Sequence, residues 1–357
     1  MPHQFTSEIS PENPMGTDGF EFVEYASPNP EALERLFVEL GFRKVGKHRS
    51  KEVFLFRQGD IHFILNAEPQ SQAEQFSDEH GPSVNAIAFR VQDAAHAYRR
   101  ALSLGAKGVE SKVGPMELNI PAIEGIGGSL IYLVDRYGQQ SIYDVDFLPL
   151  PEAQAVEAQP LLTHIDHLTH NVRRGQMEVW SDFYERLFNF KELRSFDIEG
   201  KLTGLKSKAM TSPCGKIRIP INESSDDKSQ IEEYLREYKG EGIQHIAFGT
   251  GDICWAVREL RGRGVEFQNT PDTYYERVDE RVPNHGEDIE QLRELRVLID
   301  GAPVKDEGLL LQIFTTTVIG PIFYEIIQRK GNEGFGEGNF QALFESIELD
   351  QIRRGVI

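Results

Sequence analysis

The chain has 357 residues, of which 39% are hydrophobic and 27% are charged, and its formal net charge is −19. This length is typical of about two domains, and the composition supports a sizeable buried core. The negative charge argues against a nucleic-acid or anionic-membrane partner, because both surfaces would repel the chain. No segment approaches the ~20 apolar residues that span a bilayer, and the N-terminus has no basic start followed by an apolar run. We therefore expect a cytoplasmic protein.

The first half contains two segments with the same predicted layout. Residues 19–45 begin with an apolar extended run, pass Pro28 and Pro30, and continue as an amphipathic helix that ends at Gly41. Residues 84–109 predict a strand, a helix capped by Asp93 and an exit at Gly105. Each segment is followed by further extended runs, which favours a βαβββ unit.

The second half repeats this layout at low sequence identity. Residues 164–193 match the first segment, and residues 243–267 match the second, with Asp252 as helix cap and Gly264 as exit. The repeat predicts an α+β fold with paired βαβββ units in each half. We expect a boundary in residues 148–160, where Pro, Ala and acidic residues replace the apolar periodicity. The predicted domains are residues 1–150 and 160–357.

Three polar residues occupy corresponding strand segments of the second half: His167 in HIDHLTHNV, His245 in GIQHIAF and Glu325 in IFYEIIQ. By strand alternation each lies on a mostly apolar face, where a buried polar group needs a partner. Any single one is more often a hydrogen-bonded core residue, but three at matching positions favour a shared metal. Two imidazoles and one carboxylate are the ligand set of a mononuclear non-haem iron(II) site with open positions.

Superposition of the halves predicts which one binds metal. His167 falls opposite Phe22 and His245 opposite Ala86; pairing SIYDVDF with IFYEIIQ sets Glu325 opposite Asp144. A carboxylate without imidazoles does not hold iron(II) tightly. We therefore expect the N-terminal half to be metal-free and to serve packing and assembly.

Further motifs make a specific resemblance. IDHLTHNV, SKAMTSPCGKIRIPINE, SQIEEYL, GEGIQHIAF, TPDTYYERV, LLLQIFT, FYEIIQRKG and GFGEGNFQALFESIE resemble, in order and spacing, the 4-hydroxyphenylpyruvate dioxygenases. The resemblance extends over nearly the whole chain, is closest to the bacterial short form, and includes GPMELNIPAIEGIGGSLIYLVD in the first half. It implies the vicinal oxygen chelate fold of glyoxalases and extradiol dioxygenases, with tandem βαβββ modules forming two open barrels and a C-terminal helix.

The resemblance also implies a reaction. One Fe(II) per chain, held by His167, His245 and Glu325, would bind the 2-oxo acid group of 4-hydroxyphenylpyruvate and leave a position for O₂. The products would be homogentisate and CO₂, as in tyrosine and phenylalanine breakdown. The only partners implied are this small 2-oxo acid, O₂ and other copies of the chain in a dimer or tetramer.

The family motifs predict the pocket. Its residues would be Ser207, Asn222 and Gln230 at the phenol end, Gln312, Phe314 and Phe323 near the metal, and Phe335, Asn339 and Phe340 around the ring. Phe335 and Phe340 would sandwich the ring, and Asn339 would orient Phe340. Strand alternation puts Gln244 on the face opposite His245, so we expect it behind the ligands. The alternative for such amides and hydroxyls is a bond to nearby backbone or to water.

The C-terminal residues predict an amphipathic helix. Phe340, Leu343, Phe344 and Ile347 follow helical spacing, and four glycines precede them within residues 330–339. One hypothesis is a lid that closes over the substrate and excludes water. The alternative is a terminal helix that only packs on the core.

Three other functions fit part of the sequence. A 4-hydroxymandelate synthase would use the same fold, ligands and substrate but oxidise the side chain; Phe340 and the GFGEGNF phrase favour the dioxygenase. An extradiol enzyme would use the same ligands on a catechol, and the C-terminal motifs disfavour it. A non-catalytic binding module would be expected to lose a ligand, yet all three are present.

Overall fold

The computed structural model describes residues 6–110, 114, 116–151, 159–199, 204–339 and 342–343. Within these residues the first half forms one nine-stranded sheet. Its strands are β1 (Thr17–Ala26), β2 (Arg43–His48), β3 (Val53–Gln58), β4 (Ile61–Asn66), β5 (Ser83–Val91), β6 (Gly108–Val109), β7 (Ala122–Glu124), β8 (Leu130–Val134) and β9 (Phe147–Pro149).

The second half forms an eight-stranded sheet within the same described ranges. Its strands are β10 (His164–Val172), β11 (Lys191–Glu199), β12 (Gly204–Thr211), β13 (Arg218–Ser224), β14 (Gly242–Gly249), β15 (Leu298–Gly301), β16 (Leu309–Phe314) and β17 (Phe323–Lys330). The helices of the two halves are α1 (Pro30–Glu39), α2 (Gln72–His80), α3 (Ala94–Ser103), α4 (Ile142–Asp146), α5 (Met177–Phe188), α6 (Gln230–Glu237), α7 (Ile253–Gly262), α8 (Asp272–Tyr275), α9 (Val278–Arg281) and α10 (Ile289–Leu295). None of the helices in the described part of the chain is both long and apolar enough to cross a membrane.

The two sheets have the same strand order, which confirms the predicted α+β fold of paired βαβββ units. The first runs β2-β3-β4-β1-β5-β8-β7-β6, with β9 added beside β2. The second runs β11-β12-β13-β10-β14-β17-β16-β15. Each unit contributes a strand, a helix and three strands in chain order, with α1, α3, α5 and α7 as the four helices.

The predicted helix caps are also confirmed. The side chain of Asp93 accepts a hydrogen bond from the backbone N–H of His96 at the start of α3. Asp252 does the same for Trp255 at the start of α7. Both helices then end at a glycine with positive φ, 86° at Gly105 and 100° at Gly264, a conformation that glycine adopts without a Cβ clash.

The third predicted pairing, SIYDVDF with IFYEIIQ, is wrong. Ser141 and Asp144 form a capping box, so residues 142–146 are the helix α4 and not a strand. The strand equivalent to β17 is β8, since each runs parallel to the first strand of its unit. Ala247 is opposite Glu325 in one sheet and Ala88 is opposite Tyr132 in the other, so Tyr132 is the counterpart of Glu325.

One hydrophobic core joins the halves. It contains the helix-covered faces of both sheets, and the rings of Phe63 and Phe248 lie 5.7 Å apart within it. The hydroxyl of Tyr324 donates to that of Tyr25 at 3.1 Å across the same boundary. The opposite, concave face of each sheet is therefore the one available for a site.

Candidate metal centre and substrate pocket

Three side chains meet on the concave face of the second sheet. The Nε2 atom of His167 lies 3.2 Å from Oε2 of Glu325, and Nε2 of His245 lies 3.5 Å from the same oxygen. The three residues come from the adjacent strands β10, β14 and β17. Ala247 is paired with both His167 and Glu325, so a small side chain lies between them and leaves room for the imidazoles.

A β-bulge precedes each histidine. Between Ile165 and His167 the ladder advances two residues on β10 but one on β14, which makes Asp166 an extra residue. The reverse shift further along β14 makes Gln244 the extra residue before His245. The bulges interrupt strict alternation, so the side chains of Asp166 and Gln244 lie beside the histidines that follow them.

These two neighbours fix the orientation of the imidazoles. Nδ1 of His167 donates to Oδ1 of Asp166 at 2.8 Å, and Nδ1 of His245 donates to Oε1 of Gln244 at 3.0 Å. A carboxylate oxygen and an amide carbonyl only accept, so the proton of each neutral ring is on Nδ1. Both Nε2 atoms then carry a lone pair that can bind a cation, and that of His245 accepts from the Thr169 hydroxyl at 3.0 Å in this structure. An outer partner on the other nitrogen is typical of metal-binding histidines. The alternation argument missed this position of Gln244 because it assumed a regular strand.

The electrostatics of the cluster suit a cation. Burial lowers the pKa of His167, but Glu325 and Asp166 outweigh burial and raise it above its usual value. For His245 burial dominates and lowers the pKa. Burial raises the pKa of Glu325, yet the two histidines outweigh it and hold the pKa below its usual value. The pocket therefore holds a buried carboxylate whose charge the imidazoles only partly balance.

The donor set fits a metal ion. One atom from each of His167, His245 and Glu325 lies within 4.8 Å of the others. Two donors bound at right angles to one ion at ~2.1 Å lie ~3 Å apart, close to the separations seen here. Oε1 of Glu325 is buried without a hydrogen-bond partner among the described residues. These three residues can hold a metal ion.

Aromatic rings surround the cluster. Phe323 stacks on His245, with ring centroids 4.8 Å apart and 17° between planes, and Phe314 meets His245 edge-on at 6.4 Å. Phe335 meets His167 edge-on at 5.2 Å. The structure thus brings three of the predicted pocket aromatics to the metal ligands.

A row of polar side chains crosses β12, β13 and β10. Ser207 is paired with Asn222, and Asn222 with Asn171. Asn171 is fully buried, and neither atom of its amide has a hydrogen-bond partner among the described residues. Sequence reasoning missed Asn171, although it lies on the same strand face as His167. Gln230, the predicted third member of the row, is the first residue of α6 and is exposed.

Gln312 lies under the segment that follows β17. Leu310, Gln312 and Phe314 share the concave face, as alternation predicts, and Oε1 of Gln312 has no partner among the described residues. Gly336 packs directly against the Gln312 amide with φ 78°, so a side chain at Gly336 would collide with it. The positive φ and the close approach to Gln312 both favour glycine at this position.

Asn339 is buried at the end of this segment. Its Oδ1 accepts from the hydroxyl of Tyr274 at 2.5 Å, and that hydroxyl also receives a hydrogen bond from Arg281. The TPDTYYERV motif, which forms α8 and part of α9, therefore anchors Asn339. Phe340 and the predicted helix positions Phe344 and Ile347 lie outside the described residues; Leu343 packs against the main core.

The remaining histidines lie away from the cluster. His164 is exposed, and Nε2 of His285 donates to Oδ1 of Asp279 at 2.8 Å. His170 is fully buried on the helix side of the sheet, where its Nε2 lies 2.7 Å from the Tyr184 hydroxyl.

Comparison with known proteins first defines the class. A model of the Glyoxalase/Bleomycin resistance protein/Dioxygenase superfamily matches residues 164–278. Together with the tandem βαβββ units, it places the chain in the vicinal oxygen chelate superfamily. A model of the N-terminal part of hydroxyphenylpyruvate dioxygenase matches residues 11–148.

Individual relatives then define the family. The chain is 65% identical to 4-hydroxyphenylpyruvate dioxygenase of Pseudomonas aeruginosa, over 98% of this chain and 99% of that protein. It is 66% identical to Hemolysin VllY of Vibrio vulnificus, over 97% of this chain and 98% of that protein. A solved mutant of 4-hydroxymandelate synthase from Streptomyces coelicolor is 26% identical and has a TM-score of 0.81, covering 94% of this chain and 99% of that chain. The chain belongs to the 4-hydroxyphenylpyruvate dioxygenase family.

Proposed function

We propose that this protein is an Fe(II)-dependent dioxygenase that converts 4-hydroxyphenylpyruvate and O₂ to homogentisate and CO₂ in tyrosine and phenylalanine breakdown. The observation that carries the proposal is the convergence of His167, His245 and Glu325 in a chain 65% identical to a 4-hydroxyphenylpyruvate dioxygenase. The reaction balances, since one oxygen atom of O₂ ends in CO₂ and the other in homogentisate. The substrate supplies its own 2-oxo acid group, so no second organic substrate is consumed.

The two histidines and the glutamate would hold one Fe(II) per chain, His167 and His245 through Nε2. When bound, such an ion would supply open coordination positions for the keto acid group and for O₂, which is the oxidant. Asp166 and Gln244 keep both rings in the tautomer that presents Nε2. Because burial excludes water around Glu325, the carboxylate favours a cation strongly.

The rest of the pocket would fix the substrate ring. Phe314, Phe323 and Phe335 line the metal side, and Phe340 is assigned to the opposite face of the ring by family resemblance. Ser207, Asn222 and Asn171 form the polar row that would receive the phenol. Gln230 is assigned to the phenol end by family resemblance. A buried amide without a partner costs free energy until a ligand satisfies it, so a phenolic hydroxyl is the expected occupant. Gln312 and Asn339 would complete the wall beneath the segment that covers the metal.

The wider setting follows from the same family. Residues 160–357 would form the catalytic domain, and residues 1–150 a metal-free domain that supports packing and assembly. We propose a cytoplasmic enzyme that forms a dimer or tetramer of identical chains. The C-terminal residues from Phe340 would form the helix that closes the pocket.

Product analysis tests the proposal. The protein would be reconstituted with ferrous salt without oxygen, mixed with 4-hydroxyphenylpyruvate and air, and the products separated by chromatography. Homogentisate in equal amount to the O₂ consumed supports the proposal. 4-Hydroxymandelate as the main product would instead identify a synthase, as the similarity to the solved synthase allows. Iron and substrate binding with neither product would identify a binding module.

A further inference from the structure

Arg329 connects the metal ligand His167 to residues 332–335, the segment that follows β17 and lies over the metal ligands. Its guanidinium forms a two-pronged ion pair with Asp166, with Nε 2.7 Å from Oδ2 and Nη2 2.8 Å from Oδ1. The same Oδ1 atom accepts the Nδ1 proton of His167. One carboxylate oxygen therefore links the arginine to the imidazole.

The other side of the guanidinium holds the chain after β17. Nη1 donates to the carbonyl oxygens of Asn332 at 2.9 Å and Gly334 at 2.7 Å. The guanidinium carbon lies 5.7 Å from the centroid of the Phe335 ring, and that ring contacts His167 edge-on at 5.2 Å. Each of these side chains therefore contacts the next in a closed ring: His167, Asp166, Arg329, Phe335 and again His167.

Arginine suits this position better than any other residue. Its planar group has five N–H donors in a fixed fork, enough to bind a carboxylate in two places and two carbonyls at once, whereas lysine has a single ammonium. Only 14% of the Arg329 side chain is exposed and 3% of the Asp166 side chain, so water screens the pair weakly. Arg329 also lies on the same face of β17 as Glu325, four residues along the strand.

We propose that Arg329 is a positioning residue that couples the imidazole of His167 to residues 332–335, so that filling the metal site orders the segment that carries Phe335. A cation on Nε2 fixes the His167 ring and makes its Nδ1 proton a stronger donor to Asp166. Asp166 then holds the Arg329 guanidinium in one orientation. The guanidinium in turn holds the carbonyl groups of Asn332 and Gly334 and the ring of Phe335. The metal thereby strengthens the placement of Phe335 over the site. The inference rests on the metal site of the proposed function, but not on the identity of the substrate.

Hydrogen exchange of the backbone tests the coupling without turnover. The protein would be prepared metal-free and then loaded with Co(II), with metal content measured separately. In the natural chain, loading is expected to slow exchange in residues 330–339 on the order of tenfold. In Arg329→Lys and Asp166→Asn the same loading is expected to leave exchange of that segment nearly unchanged.

The matched control is Arg194→Lys. Arg194 also reaches the covering segment, through Glu337 at 3.3 Å, but it has no contact with Asp166 and is 44% exposed. This variant should keep the metal-dependent slowing. Arg329→Lys that binds Co(II) and still shows the full slowing would overturn the proposal, as would a natural chain that binds Co(II) without any slowing. Failure of Co(II) to bind the natural chain would instead count against the metal site itself, and with it the coupling.

A second readout separates positioning from general stability. With Fe(II) and substrate, Arg329→Lys should consume O₂ but form less homogentisate per O₂ than the natural chain, because Phe335 no longer confines the ring. A merely structural role would lower the amount of folded enzyme and leave that ratio at its natural value, which would refute the assignment.

Discussion

The concave face of the first sheet is lined mainly by apolar side chains, whereas the equivalent face of the second carries the metal cluster. Phe22, Ala86 and Tyr132 stand where the second half has His167, His245 and Glu325. A separate hydrophobic cluster fills the first concave face, with the members Phe22, Val45, Val53, Leu55, Ile64, Ala88, Val134, Ile142 and Tyr143. A single fold therefore makes either a filled or a functional barrel, depending on a few inward positions.

The segment that follows the last strand of each half shows the same contrast. After β8 it forms α4, which places Ile142 and Tyr143 into the apolar cluster. After β17 it crosses the metal cluster and places Phe335 against His167. In the first half this segment adds buried apolar area and stability. In the second half it covers a pocket whose interior must stay open for the substrate.

The largest predicted difference comes from paired substitutions at Glu325 and Tyr132. Glu325→Gln removes the anionic ligand, so we expect bound iron and homogentisate formation to fall by more than ~100-fold, beyond the range typical of residues behind a ligand. Tyr132→Phe keeps the packing of the first barrel and should leave both within about twofold of the natural chain. Metal analysis and product chromatography measure the two effects.

Loss of iron in the Tyr132 variant would contradict the comparison, because it would mean that the first barrel contributes to metal binding. Retention of iron by Glu325→Gln would remove the carboxylate from the proposed ligand set. A melting curve for each variant checks that both are folded.

The second comparison uses Phe335 and Ile142, one from each closing segment. Phe335→Ala should lower homogentisate formation by roughly two- to tenfold, since ring stacking contributes roughly 0.5–1.5 kcal/mol, and should change stability little because Phe335 is half-buried. Ile142→Ala should lower the free energy of unfolding by about 2–5 kcal/mol, with activity per folded molecule unchanged. Denaturant titration and turnover assays separate the two outcomes; a reversed pattern would disprove the assignment of roles.

Sequence patterns predicted the parts of this comparison that depend on periodicity. The caps Asp93 and Asp252, the repeated units and the meeting of three ligands follow from spacing along single elements. The bulges at Asp166 and Gln244 were not predictable in this way, because a bulge is a mismatch between two strands. The same limit hid Arg329, whose partner Asp166 lies 163 residues away along the chain.

Two further features were not predicted. The α4 segment was read as a strand because its apolar residues fit either period, although Ser141 and Asp144 carried a capping-box signal. The burial of His170 was also not predicted, because its partner Tyr184 lies on α5, which alternation along β10 does not reveal.

A third comparison concerns two buried histidines on different halves. Burial lowers the pKa of His62 to about 4 in the first half, and burial lowers that of His170 to about 3 in the second. An unfolded histidine takes up a proton near pH 6.5, so the unfolded state binds more protons as pH falls. Each residue therefore adds stability that is present above pH 6.5 and lost as pH falls towards its folded pKa.

His62→Gln and His170→Gln should each reduce the slope of unfolding free energy against pH by up to about 1.4 kcal/mol per pH unit. The pH range over which stability is lost should extend to lower pH for His170 than for His62, since the pKa of folded His170 is lower. Denaturant titrations between pH 6.5 and about 4 measure both slopes. Equal slopes in the variants and the natural chain would show that neither ring is neutral in the folded protein.

The smallest expected effects are at exposed ion pairs, and they should be alike in the two halves. Lys47 and Glu52 pair at 2.7 Å in the first half with 42% and 54% of their side chains exposed, and Arg293 pairs with Glu290 at 3.2 Å in the second. Water and salt screen such pairs, so Lys47→Ala and Arg293→Ala should each change the free energy of unfolding by less than ~1 kcal/mol and leave turnover unchanged. If either variant altered iron content or turnover, the difference between the halves would extend beyond their concave faces. Equal, small changes in the free energy of unfolding would show that the two halves differ at their inward positions, where one barrel is filled and the other holds the metal ligands.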